Sequence, residues 1–486
     1  MQELFLRKVT MADAKLLLDW RNESSVRNNS FHSEIIAYED HVNWLTKKIA
    51  DPSEIMRILM LGDTPVGQIR LSKDNEGFEI SYSLDKEFRG RGYGKEIIRF
   101  AERELLKLSG CCNIRGLVKA DNKASRQVFR TLGYREYERK DFFEYTKILG
   151  QIIFIRADMN PVIATGHMMR CLSIADEIRN MGGKAVFVTA DENAVDLVRK
   201  RGYEVLVLHS DWLSKEDELP GLIEKIREYG AKKILVDSYQ VTGHYLQELR
   251  RYTQVTYLDD LDDFPHPADN LICYANYYHS FSYGNKTEKD GYYLGTAYVP
   301  LRAVFADCPV KRIRKHVKKI LLLSGGNDSC HVIERMVEAF CENKEVMLIT
   351  ICGRYYAGYG ELKERYKEYP NLRFHRNVTN IKKYMQEADL AVSAGGTTLY
   401  ELCAVGIPAI SYSFADNQLY NVKQFDEDGI IEYAGDARYE DIVANVMNLC
   451  ARYSADADLR EERSLRMQQA VDGKGAGRIA GVILSS

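Results

Sequence analysis

The sequence predicts an α/β protein in three parts: a mixed α/β unit over residues 1–148, then two doubly wound α/β lobes over 151–308 and 318–486. Three observations carry that reading. A chain of 486 residues holds about three domains at the usual ~150 residues each. From residue 151 onward, short apolar runs alternate with helical segments, the pattern of a parallel sheet wound on both faces. Glycine loops follow apolar runs and open helices at 90–94, 325–326 and 395–396. Such loops bring backbone N–H groups onto a phosphate, and they are also plain turn chemistry.

In the first unit, residues 4–9 alternate like a strand and 12–22 carry helical spacing, while 58–61 and 66–71 read as a hairpin across Gly62-Asp63-Thr64-Pro65. Residues 78–84 alternate again, and Arg89-Gly90-Arg91-Gly92-Tyr93-Gly94 then opens a helix that runs to about Leu108. The glycines let N–H groups converge on a pyrophosphate without Cβ clashes, and the arginines add positive charge. Glu79, on the strand before the loop, reads either as a carboxylate that takes a proton from an incoming amine or as a solvent-facing strand residue.

Arg89-Gly90-Arg91-Gly92-Tyr93-Gly94 matches R-x-x-G-x-G, the acetyl-CoA pyrophosphate loop of the GNAT superfamily of N-acetyltransferases. Asn122-Lys123-Ala124-Ser125, Phe129 and Leu132-Gly133-Tyr134 resemble that family's later Asn-containing helix, and with Trp20-Arg21-Asn22 the match covers nearly all of the first 147 residues. The resemblance implies a GNAT acetyltransferase fold and acetyl-CoA as co-substrate. It implies Leu84, Arg89, Gly90, Arg91, Gly92, Tyr93, Gly94 and Asn122 as the residues that hold it, with Glu79 as catalytic base. The family often places a tyrosine, the acid for the departing thiolate, where Phe129 stands; Tyr134 and Tyr145 are substitutes by residue type.

The lobes follow without a flexible linker. Residues 152–155, 185–188, 204–208, 234–237 and 255–260 read as strands of the first lobe. After the first of these, a ten-residue loop delivers Gly166-His167-Met168-Met169-Arg170 at the start of an amphipathic helix. An imidazole there lies at the positive end of the helix dipole, which favours the neutral, proton-accepting form; a helix-capping role fits the spacing equally. The charged run 311–319 has no interleaved aromatic and reads as a solvated linker. The second lobe begins with the strand 320–323 and Ser324-Gly325-Gly326-Asn327-Asp328, and its strand 390–392 leads into Ser393-Ala394-Gly395-Gly396-Thr397-Thr398-Leu399-Tyr400-Glu401. Glu401, one helical turn past the glycines, is placed for ribose hydroxyls, and the amides of Asn417-Gln418 for a phosphate or sugar. Two such units in tandem make the GT-B architecture of nucleotide-sugar enzymes, whose ligands lie in the cleft beyond the strands' carboxyl ends.

Residues 151–486 further resemble the UDP-sugar hydrolases of bacterial pseudaminic acid synthesis. The matching positions are Arg156-Ala157-Asp158, Gly166-His167, Arg170, Leu172, Asp237-Ser238-Tyr239, Leu258-Asp259-Asp260, Tyr298-Val299-Pro300-Leu301-Arg302, Gly325-Gly326-Asn327-Asp328 and the segment from Ser393 to Glu401. The resemblance implies release of UDP from UDP-2,4-diacetamido-2,4,6-trideoxy-β-L-altropyranose with inversion, and His167 as catalytic base. Substrate contacts fall to Asp158, Gly166, Arg170, Tyr239, Gly325, Asn327, Gly395, Gly396, Thr397, Thr398, Glu401, Asn417 and Gln418. Asn327 stands where family members often carry threonine. The preceding step of that pathway acetylates the 4-amino group of the same UDP-sugar, which resembles the work of a GNAT enzyme with a Trp-Arg-Asn start. The chain therefore reads as a bifunctional enzyme, in which fusion raises the local concentration of the shared intermediate. Two other readings fit: a GT-B glycosyltransferase, such as the lipid-linked peptidoglycan N-acetylglucosaminyl transferase, fused to a protein N-acetyltransferase, or one half kept as a non-catalytic binding module.

With 45% hydrophobic and 28% charged residues and a net charge of −3, nothing implies a nucleic-acid partner. Ten cysteines without any C-x-x-C pair suit reduced thiols in a cytoplasm, and no histidine and carboxylate spacing of the zinc kind occurs, so no metal is expected. The N-terminus lacks a signal-peptide core and no window approaches ~18 apolar residues, so a soluble, cytoplasmic protein away from membranes is expected.

Overall fold

The computed structural model describes residues 3–485 other than 110, 164, 325–327, 329, 354–355 and 377. Its contacts divide the chain into two units, Met1–Ile153 with Ile178–Ala185 and Leu484–Ser486, and Phe154–Glu177 with Val186–Ile483.

The first unit holds β1 (Leu4–Lys8), β2 (Glu54–Leu61), β3 (Thr64–Asp74), β4 (Gly77–Leu84), β5 (Cys112–Lys119), β6 (Arg135–Glu138) and β7 (Phe142–Leu149), in the sheet order β1-β2-β3-β4-β5-β7-β6. The expected hairpin is β2–β3. Neighbours are antiparallel except β4 and β5, which pair in parallel only from Phe78↔Ile114 to Ile80↔Gly116. Beyond that point the two strands part, and the sheet opens toward Leu84. The parting begins where Phe129 packs its ring tip onto Gly116, so closely that a Cβ at Gly116 would lie 2.4 Å from it. The helix Tyr93–Ser109 buries Ile97, Ile98, Ala101 and Leu105 against Phe78 and Ile80, a stripe set by its 3.6-residue period.

The second unit contains two sheets. One runs in the order β10-β9-β8-β11-β12-β13-β14, from β8 (Ile152–Ala157), β9 (Lys184–Thr189), β10 (Glu204–Val207), β11 (Lys233–Asp237), β12 (Gln254–Leu258), β13 (Asn270–Cys273) and β14 (Tyr292–Leu294). The other, in the order β17-β16-β15-β18-β19-β20, comprises β15 (Lys319–Leu323), β16 (Met347–Cys352), β17 (Leu372–Arg376), β18 (Leu390–Ala394), β19 (Ala409–Ser413) and β20 (Glu432–Asp436), all in parallel. Central strands such as β15 and β18 are buried and apolar, apart from Lys319 at the start of β15 and Ser393 in β18, because helices cover both faces. In each sheet the winding reverses once, at β8/β11 and at β15/β18, and a crevice forms at the strands' carboxyl ends there.

The run 311–319 is solvated in part: Arg312, Arg314, Lys315, His316 and Lys318 are exposed, while Lys311 and Lys319 are partly covered. Lys311 Nζ donates to the carbonyls of Met385 and Gln386 at 3.1 and 3.0 Å, Arg314 donates to Glu387 O and Asp389, and Val317 is buried. Lys311 and Arg314 thereby close a helix end, and the run borders a cavity of about 660 Å³. Burial pushes the Lys311 ammonium down to about 8.

Candidate functional site

At the β8/β11 crevice, the helix Gly166–Asn180 presents His167, Arg170 and Cys171 on one face, at i, i+3 and i+4, toward Asp237 at the end of β11. His167 Nδ1 lies 2.7 Å from Asp237 Oδ1, Arg170 donates through Nε to Oδ2 at 2.6 Å and through Nη2 to Oδ1, and Cys171 Sγ approaches Oδ2 at 3.4 Å. Burial raises the Asp237 carboxyl, but the Arg170 charge and the hydrogen bonds from Arg170 and His167 outweigh it and hold the group well below the usual carboxylate range. Arg170 Nη2 also lies 3.0 Å from Nδ1; with Nδ1–H donated to the ionised carboxylate, the lone pair stands on Nε2. No described residue hydrogen-bonds Nε2. The Tyr239 ring stands edge-on to the imidazole at 4.5 Å. An imidazole oriented from behind in this way can take up a proton at Nε2.

Two residues expected to touch substrate have other tasks here. Arg170 is turned inward, where it also donates to Asp260 Oδ2 at 3.1 Å and to the Tyr274 hydroxyl, so it positions Asp237. Asp158 accepts from Ala190 N at 2.8 Å and pairs with Arg156 and Lys215, both buried, within a network completed by Glu218 and Tyr245. Burial acts against its charge, yet Arg156 and Lys215 hold Asp158 down to about 2. It stabilises the lobe and makes no contact with His167.

At the β15/β18 crevice a cavity of about 400 Å³ is lined by Leu323, Ser324, Cys352, Gly396, Thr397 and Gln418, among others. Gly395 packs so tightly on the helix Asp416–Glu427 that a Cβ would meet Val422 Cγ1 at 2.3 Å, whereas at Gly396 that direction is open. Thr397 and Thr398 begin the helix Thr398–Val405. Gln418 Oε1 accepts from Phe414 N at 3.1 Å, and Ser324 Oγ is buried with no partner among the described residues. Glu401 accepts from Arg302 at 2.9 Å, and burial pushes its carboxyl up despite that arginine. Gly325 and Asn327, and the side chain of Asn417, lie outside what the structure describes.

In the first unit, Gly90 and Gly92 hold φ of +74° and +87°, with open space where a Cβ would project. Gly94 lies in the first turn of the helix that follows. Arg89 is already engaged: it donates to Leu84 O at 3.0 Å and pairs with Glu23 and Ser25, so it braces the loop, while Arg91 is exposed. Asn122 caps the next helix by accepting from Ser125 N at 3.1 Å. Glu79 sits in the paired stretch of β4, 3.5 Å from Arg115, with its side chain about one-third exposed. The substitutes for the missing tyrosine face elsewhere. Tyr134 donates to buried Glu102 at 2.8 Å, Tyr145 donates to Glu136, and Phe129 stacks on Tyr145 in the core.

Sequence reasoning named Asp237 and Asp260 as matching family motifs, with Asp237 also as a base in reserve, and did not name Tyr274 or Asn421; Arg170 meets Asp260 and Tyr274 at 90 and 104 positions, and Asn276 meets Asn421 at 145. Among the described residues, no helix is long and apolar enough to cross a membrane, and no group of three or more His, Cys, Asp or Glu is placed to hold a metal ion.

Comparison with known proteins adds independent findings. Residues 3–135 match the family described as Acetyltransferase (GNAT) domain, and residues 320–470 match the Glycosyltransferase family 28 C-terminal domain. An uncharacterised protein of Methanocaldococcus jannaschii is 21% identical over 279 residues, which is 53% of this chain and 54% of its own length. The UDP-N-acetylglucosamine–N-acetylmuramyl-(pentapeptide) pyrophosphoryl-undecaprenol N-acetylglucosamine transferase of Helicobacter pylori is 35% identical over 153 residues, 29% of this chain and 41% of that protein. The chain thus spans about half, or less, of the length of these curated relatives. Acinetobacter baumannii MurG superposes with a TM-score of 0.51 at 12% identity, over 69% of this chain and all of MurG, which shows the GT-B fold. An N-terminal GNAT acetyltransferase domain is therefore fused to a MurG-like GT-B region.

Proposed function

We propose that the chain is a bifunctional enzyme that acts twice on one UDP-sugar. The unit over 1–148 transfers acetyl from acetyl-CoA to the 4-amino group of a UDP-4-amino-4,6-dideoxy-sugar. The lobes over 151–308 and 318–486 then hydrolyse the product, UDP-2,4-diacetamido-2,4,6-trideoxy-β-L-altropyranose, with inversion. In the first step the amine attacks the thioester carbonyl, its proton passes to Glu79 through water, and CoA leaves; the open glycine loop Gly90–Gly92 receives the pyrophosphate.

The observation that carries the second step is the His167–Asp237 pair at the β8/β11 crevice. Nε2 takes a proton from water, the oxygen attacks the anomeric carbon, and the bond to UDP breaks on the opposite face. The N–H groups at Gly396-Thr397, past Gly395, whose own N–H is bound to Tyr412 O, and the dipole of the helix Thr398–Val405 stabilise the departing diphosphate. The motif resemblance and the fusion to an acetyltransferase support this substrate over other UDP-sugars.

A second reading is favoured by the glycosyltransferase family 28 match: His167 activates a sugar or lipid hydroxyl instead of water, and the first unit acetylates a protein. Incubating the full chain with acetyl-CoA and the UDP-4-amino-sugar in oxygen-18 water separates the two. Mass spectrometry should show CoA, then UDP, and label in the anomeric hydroxyl of the free sugar. UDP release only after a hydroxyl acceptor is added would replace hydrolysis by transfer.

A further inference from the structure

Between His167 and the Gly395 loop runs a continuous chain of contacts across the lobes. Asp237 holds His167 Nδ1 and is held by Arg170, which donates to the Tyr274 hydroxyl just past the end of β13. The Tyr274 ring meets the Tyr400 ring of the other lobe edge-on, with centroids 5.9 Å apart. Tyr400 donates its hydroxyl proton to Asn421 Oδ1 at 2.8 Å, and Asn421 Nδ2 donates to Gly395 O at 3.2 Å. A second strut runs in parallel: Asn276, two residues past Tyr274, donates through Nδ2 to the backbone carbonyl of Asn421 at 3.0 Å. Asn421 is only 6% exposed, and all three of its polar groups named here are engaged, two within its own lobe and one with the other lobe.

We propose that Asn421 is a positioning residue for the cleft reaction: it pins the Gly395 loop to the first lobe, and so sets where a bound diphosphate lies relative to His167 Nε2. The inference rests on the reading of that loop as the diphosphate site. Buried side chains packed at interior density transmit a shift rather than absorb it. Occupation of the loop is therefore felt at the imidazole through Tyr400, Tyr274 and Arg170.

The test uses the full chain with carbon-13-labelled histidine rings, the His167 signal being assigned by its loss in His167→Asn. UDP binding by calorimetry and the response of that signal to UDP are measured in the wild type, in Asn421→Ala, and in Asn276→Ala, which removes the cross-lobe donor at a partly buried site. In the wild type UDP binds and shifts the His167 signal. In both variants UDP affinity should stay within a few-fold while the shift is lost, and kcat for UDP release should fall about 10- to 100-fold with KM little changed, the scale of a ~1 Å misplacement. Should Asn421→Ala fail to fold, Tyr400→Phe, which deletes one hydroxyl, takes its place. Retention of the UDP-induced shift and of kcat in folded variants overturns the proposal, even where thermal stability drops. Failure of the wild type to bind UDP overturns the nucleotide-site reading itself, which is a different result.

Discussion

Replacing Asp237 by asparagine keeps the shape of the side chain and removes its charge. In the structure that carboxylate receives His167 and a two-pronged Arg170, with no exposed surface of its own. Removing one partner of a buried ion pair is worth about 3–5 kcal/mol. Arg170 keeps Asp260 and Tyr274, which places the loss of stability near the lower end, about 3 kcal/mol. The catalytic effect is separate: an asparagine amide turns its N–H toward one of two donors, and the imidazole is no longer held with Nε2 free. General-base assistance contributes ~100- to 10,000-fold, so UDP release should fall by about 1,000-fold in Asp237→Asn and by a similar factor in His167→Asn. Because the two residues form one device, the double variant should be no slower than either single one. The assay is initial-rate UDP release from the diacetamido UDP-sugar, on protein shown folded by circular dichroism. Multiplicative losses in the double variant, or a near-wild-type rate in Asp237→Asn, would refute the orienting role. The pH dependence has a defined sign. The folded carboxyl lies below its unfolded value of about 3.9, so its contribution to stability is complete above that pH and fades as pH falls through the lower folded value. Asp237→Asn should flatten that acid limb in urea titrations.

Three further outcomes are expected. Gly92→Val places a β-branched residue at φ +87°, strained by about 1–3 kcal/mol, and fills the open space beside the loop; acetyl-CoA binding by calorimetry should be lost while UDP release from acetylated sugar is intact. UDP release should persist in EDTA, since loop N–H groups and a helix dipole suffice for the leaving diphosphate; activity lost in chelator and restored by magnesium or manganese contradicts this. Lys311 titrates near 8 when folded and near 10.4 when unfolded, so the unfolded chain binds more protons between those values and stability rises with pH there. Lys311→Met should remove that rise when urea midpoints at both ends of the window are compared with wild type.

Local chemistry explains what could be read from the chain. The Arg89–Gly94 loop and the Gly166-His167 junction are contiguous, and each carries its own turn, helix start and charge, so residue order displays them. Partners are not displayed. Asp237 is 70 positions from His167, and only the winding order of β8 and β11 makes them neighbours. Asp158 and Asp237 look alike in sequence, each an acid just past or at the end of an apolar strand. The fold assigns one to an interior ion network and the other to the histidine. Arg89 was expected at a pyrophosphate for its charge and Arg170 at substrate from the motif resemblance, but carboxylates elsewhere in the chain hold both. The short strand β14, three residues with a tyrosine pair, lies below the length at which alternation is detectable.

The interior network of the first lobe constrains how this protein can change over generations. Arg156, Lys215, Asp158 and Glu218 bring two positive and two negative charges together with side chains 5% exposed or less. Neutralising any one leaves an unbalanced charge out of reach of water, at several kcal/mol. Replacing a matched pair, or all four by apolar residues of similar volume, restores balance and is tolerated far better. Among descendants of this sequence the four positions should therefore be inherited as a block, with substitutions arriving in charge-matched pairs and single replacements purged before they spread.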